Sequence, residues 1–146
     1  MRVIIQRVKS ASVTIDEKIY NEIGYGMLIL VGFTEGDSTN DIDYLVKKIV
    51  NLRIFGDEKG LMNESILDIK GSILSISQFT LYADASKGNR PSFTKVADKD
   101  EASNLYGIFN EKLNEFITTK SGIFGSSMQI ELINDGPVTI IFDSNT

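Results

Sequence analysis

The apolar and polar positions of the chain follow two different periods. Arg2 to Val8 alternates loosely and is rich in β-branched residues, and Ala11 to Ile15 alternates apolar with hydroxyl side chains, so each predicts a strand. Tyr20 to Ile23 and Met27 to Phe33 predict two more, split by the turn signal Gly24-Tyr25-Gly26. The connections are short, which favours antiparallel pairing. The period then changes. Asp37 to Asp41 offers several N-cap residues, and Ile42, Leu45, Val46, Ile49 and Val50 follow at helical spacing. Leu52 to Phe55 reads as a possible strand, Gly56 to Gly60 as a turn, and Met62 to Ile69 fits either element. Ser72 to Tyr82 is a strongly apolar strand, and Ala83 to Thr94 is a polar loop. Asp98 is placed to cap a second helix, whose apolar stripe is Ala102, Leu105, Tyr106, Phe109, Leu113, Phe116 and Ile117. Met128 to Ile133 and Val138 to Phe142 predict the last two strands, joined by Asn134-Asp135-Gly136-Pro137. This order predicts a single α+β domain over residues 1–146, with curved, barrel-like antiparallel or mixed sheets and two main amphipathic helices packed outside.

Composition removes whole classes of function. A chain of 146 residues with 42% hydrophobic and 24% charged residues can bury a core without staples. The longest apolar run, Met27 to Val31, is far short of a membrane span, and the N-terminal segment turns polar before a signal-peptide core could form. A cytoplasmic protein with no membrane partner is expected. There is no cysteine and no histidine. Disulfides, thiolate chemistry, Ser-His-Asp machinery and His- or Cys-ligated zinc are therefore excluded within one chain. No metal or other cofactor is expected. Any catalysis must use carboxylates, hydroxyls, Lys, Tyr, backbone groups or the substrate. The net charge of −5 argues against broad binding along a nucleic-acid backbone, though a local basic mouth could still hold the end of one.

Four stretches could carry chemistry. Ser77-Gln78-Phe79-Thr80-Leu81 crowds hydroxyl, amide and aromatic groups at the end of an apolar strand. Buried polar groups need partners, but on spacing alone a strand edge with alternate residues in solvent is the favoured reading. Asn134 to Thr139 holds one of only two prolines, at the start of a strand; a plain hairpin is favoured there, and a cis Gly136–Pro137 bond is the sharper alternative. The loop Ser86 to Lys95 interleaves Lys87, Arg90 and Lys95 with small residues and Phe93. Cations suit phosphates and a ring suits a base, but the motif is weak and a solvated loop is the more usual reading of this composition. Arg7, among β-branched residues, reads more often as an edge ion pair than as a functional group, with a fork that holds a backbone carbonyl as the alternative.

In combination and order these stretches resemble the D-aminoacyl-tRNA deacylase family from end to end. The likeness runs from Met1 to Val8 through Ala11-Ser12-Val13, Asn51 to Phe55, Ser77 to Leu81, Lys87 to Phe93 and Asn134 to Thr139, with no departure in either signature. The resemblance implies a hydrolase that cuts the ester between a D-amino acid and its tRNA. It implies a homodimer with two cross-subunit active sites, each taking a tRNA acceptor end. Ser77, Gln78, Phe79 and Thr80 would line the pocket for the terminal adenosine and aminoacyl group. Gly136 and Pro137 would enter the partner's pocket and exclude an L side chain, so glycyl-tRNA becomes a second substrate. From the residues themselves, Arg7 is the candidate brace for that dipeptide, and Lys87, Arg90 and Lys95 are the candidates to meet the tRNA acceptor end. The ribose 2′-hydroxyl would help activate water, and a backbone amide near Phe79 would stabilise the oxyanion; a nucleophilic Thr80 ranks lower because nothing in the sequence activates it. The alternative from another class is a non-catalytic module on the same fold that binds tRNA ends or other nucleic acid.

Overall fold

The computed structural model describes residues 1–145. Its strands are β1 (Arg2–Ile15), β2 (Lys18–Ile23), β3 (Gly26–Gly32), β4 (Phe55–Gly56), β5 (Met62–Glu64), β6 (Ser72–Ser77), β7 (Thr119–Ser121) and β8 (Gln129–Asp143). Its helices are α1 (Thr39–Asn51), the single turn α2 (Ile66–Ile69) and α3 (Lys99–Asn114), with a 3-10 turn at Phe79–Tyr82. The architecture is the expected α+β one: a nearly closed, barrel-like mixed sheet with the long helices on its outside.

β1 organises the sheet. One of its edges pairs antiparallel with β3 and then with β2, and its other edge pairs antiparallel with β8 along almost its whole length. β3 continues in parallel to β6, and β6 to β7. The local reading of short connections gave only the antiparallel part. The parallel pairs need the α1 and α3 crossovers, which bring β6 and β7 back from a distance.

Two apolar clusters lie on opposite faces of this sheet. Val3, Ile5, Met27, Ile29 and Val31 face the helices, where Ile42, Leu45 and Ile49 of α1 and Phe109 and Leu113 of α3 cover them. Val8, Ala11, Val13, Ile23, Leu28, Leu74 and Ile76 fill the inside of the curve. The odd-numbered residues of β1 switch from the first cluster to the second along one continuous strand. The switch has a cause in the register: Lys9 is left over between the pairs Val8–Asn134 and Ser10–Ile133, and one extra residue turns every later side chain to the other face. β8 switches at the same place. Its even residues Ile130 and Leu132 pack inside, whereas Val138, Ile140 and Phe142 pack toward the helices.

Three sequence expectations are corrected. Arg2–Val8 and Ala11–Ile15 are one strand, and the segments expected at Met128–Ile133 and Val138–Phe142 are also one, which starts at Gln129. Asn134 to Pro137 is a bulge inside β8 and not a hairpin turn: between the pairs Gln6–Thr139 and Val8–Asn134, the four residues Asp135 to Val138 oppose Arg7 alone. The apolar strand from Ser72 stops at Ser77, and Phe79–Tyr82 winds into the 3-10 turn. Both long helices start as predicted. Ser38 caps α1 in a reciprocal capping box with Asp41, and Asp98 accepts from the Asp100 and Glu101 amides of α3. Such caps contribute about 1 kcal/mol each. The α3 stripe ends at Leu113; Phe116 lies past the helix and is exposed.

Candidate active site

β6 delivers the first group of residues. Its last residue, Ser77, pairs with Val31, and the Gln78 amide donates to the Val31 carbonyl at 2.8 Å before the chain turns. No side chain caps the 3-10 turn that follows, so its first backbone amides have no side-chain partner. The Gln78 side-chain amide donates to the Thr80 hydroxyl. Thr80 therefore serves as an acceptor, and among the described residues no side chain takes its proton. Phe79 is 53% exposed, which for a ring on an ordered turn marks a surface held open.

The loop after this turn folds back on it. Asp84 and Ser92 exchange backbone hydrogen bonds of 2.9 and 2.8 Å, and Phe93 meets Phe79 edge to face with ring centroids 5.1 Å apart. The Asp84 carboxylate accepts from the Ser86 amide at 2.9 Å and lies 3.7 Å from the Lys95 ammonium. The Ser86 hydrogen bonds, assisted by Lys95, hold the Asp84 carboxyl below its ordinary range. This pinning is present above the usual carboxylate range and is lost as pH falls through the lowered value. Lys87 and Arg90 are exposed at the loop tip, whereas Lys95 is engaged by Asp84 and by a hydrogen bond from the Thr34 hydroxyl to its carbonyl. Beneath the turn, Arg2 donates to the Leu81 carbonyl at 2.8 Å, pairs with Asp143 and lies 4.8 Å from the Tyr82 ring centroid. Burial pushes the Tyr82 hydroxyl up well above its usual range, so it is a neutral packing group.

The second group lies on the β8 bulge. The Gly136–Pro137 peptide bond is cis, and Gly136 has φ +132°, a conformation that L side chains rarely adopt. Arg7 braces the bulge from β1. Its Nε donates to the Asp135 carbonyl at 3.0 Å and its Nη1 to the Ile54 carbonyl at 2.6 Å, so one guanidinium ties the bulge to the end of the α1 segment. Its Nε also lies 3.4 Å from the Asp135 carboxylate. Asn134 closes the base: its Oδ1 accepts from the Val138 amide at 3.0 Å and its Nδ2 donates to the Thr139 hydroxyl at 3.1 Å.

Within one chain the two groups do not meet. Ser77 lies on the row Val31, Val3, Phe142, whereas the bulge lies opposite Arg7, Met27 and Ile73. They are three strand spacings apart across the sheet, roughly 14 Å, and four residues apart along it, roughly 13 Å. Sequence reasoning missed Asn134 as the staple of the bulge and the Ile54 carbonyl as the second anchor of Arg7. Asn134 reads as a turn former, and a backbone carbonyl leaves no signal at all. Among the described residues no group of three or more Asp or Glu is placed to hold a metal ion.

The profile of a family described as D-Tyr-tRNA(Tyr) deacylase matches residues 4–143. The chain belongs to this family. A solved structure described as c-Myc DNA Unwinding Element Binding Protein is 38% identical to the deacylase, covers 98% of each chain and superposes with a TM-score of 0.93. Another, described as a probable eukaryotic D-amino acid tRNA deacylase, is 19% identical, covers 97% of each chain and has a TM-score of 0.82, which shows a common fold. The deacylase is thus a hydrolase acting on the ester bond of D-aminoacyl-tRNA.

Proposed function

We propose that the deacylase works as a homodimer in which the β8 bulge of one subunit completes the Ser77–Thr80 shelf of the other. The separation of the two groups within one chain carries this reading. Each subunit offers an open shelf at one edge and a projecting dipeptide at another, and a two-fold pair would unite them twice. The chain acts as one domain, since its last strand pairs with its first. We place it in the cytoplasm, with charged tRNA; no helix among the described residues is long and apolar enough to cross a membrane.

The terminal adenosine stacks on the edge formed by Phe79 and Phe93, and Lys87 and Arg90 meet the phosphates of the acceptor end. The partner's Gly136 and Pro137 carbonyls accept from the substrate's α-ammonium. An L side chain would run into that backbone, a D side chain points away, and glycine fits, so glycyl-tRNA is a second substrate. Water, assisted by the ribose 2′-hydroxyl, attacks the ester carbon. The Phe79 amide stabilises the oxyanion, and the bond to the ribose oxygen breaks as that oxygen takes a proton. Free amino acid and tRNA leave. Purified protein is expected to deacylate D-tyrosyl-tRNA at least about 100-fold faster than the L form, a difference of about 2.7 kcal/mol; equal rates would remove the chirality claim.

Thr80 orients Gln78 in this scheme and forms no covalent intermediate. Thr80→Ala is expected to keep turnover within about tenfold of wild type, the scale of losing one neutral hydrogen bond. An aminoacyl group trapped on Thr80 after rapid quenching would contradict it. A second reading, a nucleic-acid binder without catalysis, draws on the description of the 38% identical structure. The intact residues Ser77 to Leu81 and Gly136-Pro137 favour hydrolysis.

A further inference from the structure

Along α1, Tyr44, Lys47, Lys48 and Asn51 recur at helical spacing on one exposed stripe. With Leu52, Arg53 and Phe142 they line a groove of about 640 Å³. No carboxylate lines it, in an acidic chain of net charge −5. The contrast with the adjoining groove is informative. There Lys112 is paired with Asp43, which lies on α1 one residue from Tyr44, and Glu115 lines the same hollow; Lys47 and Asn51 stand on the ridge between the two and line both. Lys47 and Lys48 have no acidic partner among the described residues; Lys48 lies 5.9 Å from the Tyr44 ring centroid. Arg53 keeps its place through hydrogen bonds of 2.9 Å to the Asn63 carbonyl and side chain; the Asn63 amide in turn donates to the Asp57 carboxylate at 2.7 Å, so Arg53 meets no carboxylate directly among the described residues. Asp143, next to Phe142, is turned to Arg2.

We propose that this groove binds backbone phosphates in the body of the substrate tRNA, a second contact beyond the acceptor end. The inference rests on the deacylase reading above. Three cations that form no ion pair among the described residues, set around a concave surface with no carboxylate in its lining, favour a polyanion, and the reacting ester is itself attached to one. The location fits. Arg53 directly precedes Ile54, whose carbonyl anchors Arg7 and through it the Gly136 bulge. Phe142 is five residues along β8 from Pro137, roughly 16 Å at strand spacing, so the groove lies a few nucleotides from the bulge. A second copy of the chain is the weaker occupant, because a two-fold contact would set these cations against each other unless acidic groups came with them. Binding so far from the ester acts equally on ground and transition states, so it lowers KM and leaves kcat alone.

The test uses Lys47→Glu/Lys48→Glu in the full chain, with D-tyrosyl-tRNA, uncharged tRNA and the small ester D-tyrosyl-adenosine as probes. The expected result is a roughly tenfold or greater rise in KM for D-tyrosyl-tRNA with kcat unchanged. Affinity for uncharged tRNA should fall in parallel, and the slope of log affinity against log salt should shrink by about one to two. Turnover of D-tyrosyl-adenosine should match wild type. Unchanged affinity for uncharged tRNA would overturn the inference, and so would a changed sedimentation coefficient, which would make the groove a contact between copies. A wild-type protein that binds tRNA through this groove yet hydrolyses neither ester would instead strike the deacylase reading and leave the groove standing.

Discussion

Gly136→Ala is expected to lower kcat/KM for D-tyrosyl-tRNA by about 100-fold or more, while the protein stays folded and its oligomeric state is unchanged. A Cβ at this position would lie 2.9 Å from Val138 Cγ2, 3.1 Å from Arg7 Nη2 and 3.1 Å from the Val138 amide nitrogen. The φ of +132° is itself strained for any residue with a side chain. The bulge must therefore shift, and the Arg7 guanidinium shifts with it. A displacement on the order of 1 Å in a positioning element costs about 10² in rate. The global cost stays near 1–3 kcal/mol, because the bulge interrupts the β1–β8 ladder and removes no core side chain. Steady-state kinetics on both enantiomers, a melting curve and sedimentation separate these effects. Wild-type turnover in the variant would place the enantiomer gate elsewhere. If the wild-type protein sediments as the proposed dimer, loss of that dimer together with activity would mean that Gly136 serves the interface alone.

What the sequence made legible follows from which interactions are local. The α1 stripe Ile42 to Val50 and the α3 stripe Ala102 to Leu113 could be read because helix periodicity is written in neighbouring residues, as are the caps Ser38 and Asp98. β7, three residues long, could not be read, because Thr119–Ser121 is a strand only through its parallel pairing with β6. The β8 bulge misled for the same reason. Asn, Asp, Gly and Pro favour turns, and only the long-range pairing with β1 shows that the chain passes through them without reversing. The candidate residues themselves were nameable through their family resemblance: Ser77 to Thr80, Lys87, Arg90, Arg7, Gly136 and Pro137. Their division into two groups on different parts of the sheet was not, because register across four strands is a property of the fold.

Arg7→Ala is expected to be nearly as damaging as Gly136→Ala, for a different reason. The Arg7 side chain is only 14% exposed and donates to two backbone carbonyls that belong to different segments, Asp135 and Ile54. Truncation leaves both acceptors short of a donor; Ile54 is buried and Asp135 half-buried, so the full cost of about 1–3 kcal/mol falls on the Ile54 carbonyl and less on that of Asp135, which water can reach. The bulge then loses its tie to the α1 segment and is held at its base by Asn134 alone. We expect kcat/KM for D-tyrosyl-tRNA to fall about 100-fold, the scale of a misplaced binding element, and the melting temperature to drop by several degrees. Arg7→Lys should recover little, since a single ammonium cannot span two carbonyls that the planar fork reaches together. Asp135→Asn is the informative companion. It removes the carboxylate 3.4 Å from Arg7 and keeps the Asp135 carbonyl, so activity within about threefold of wild type is expected if the carbonyl is the anchor. A large loss in Asp135→Asn with little loss in Arg7→Lys would assign the brace to the ion pair. Wild-type turnover in Arg7→Ala, measured well below its melting temperature, would show that the bulge holds its shape without the guanidinium.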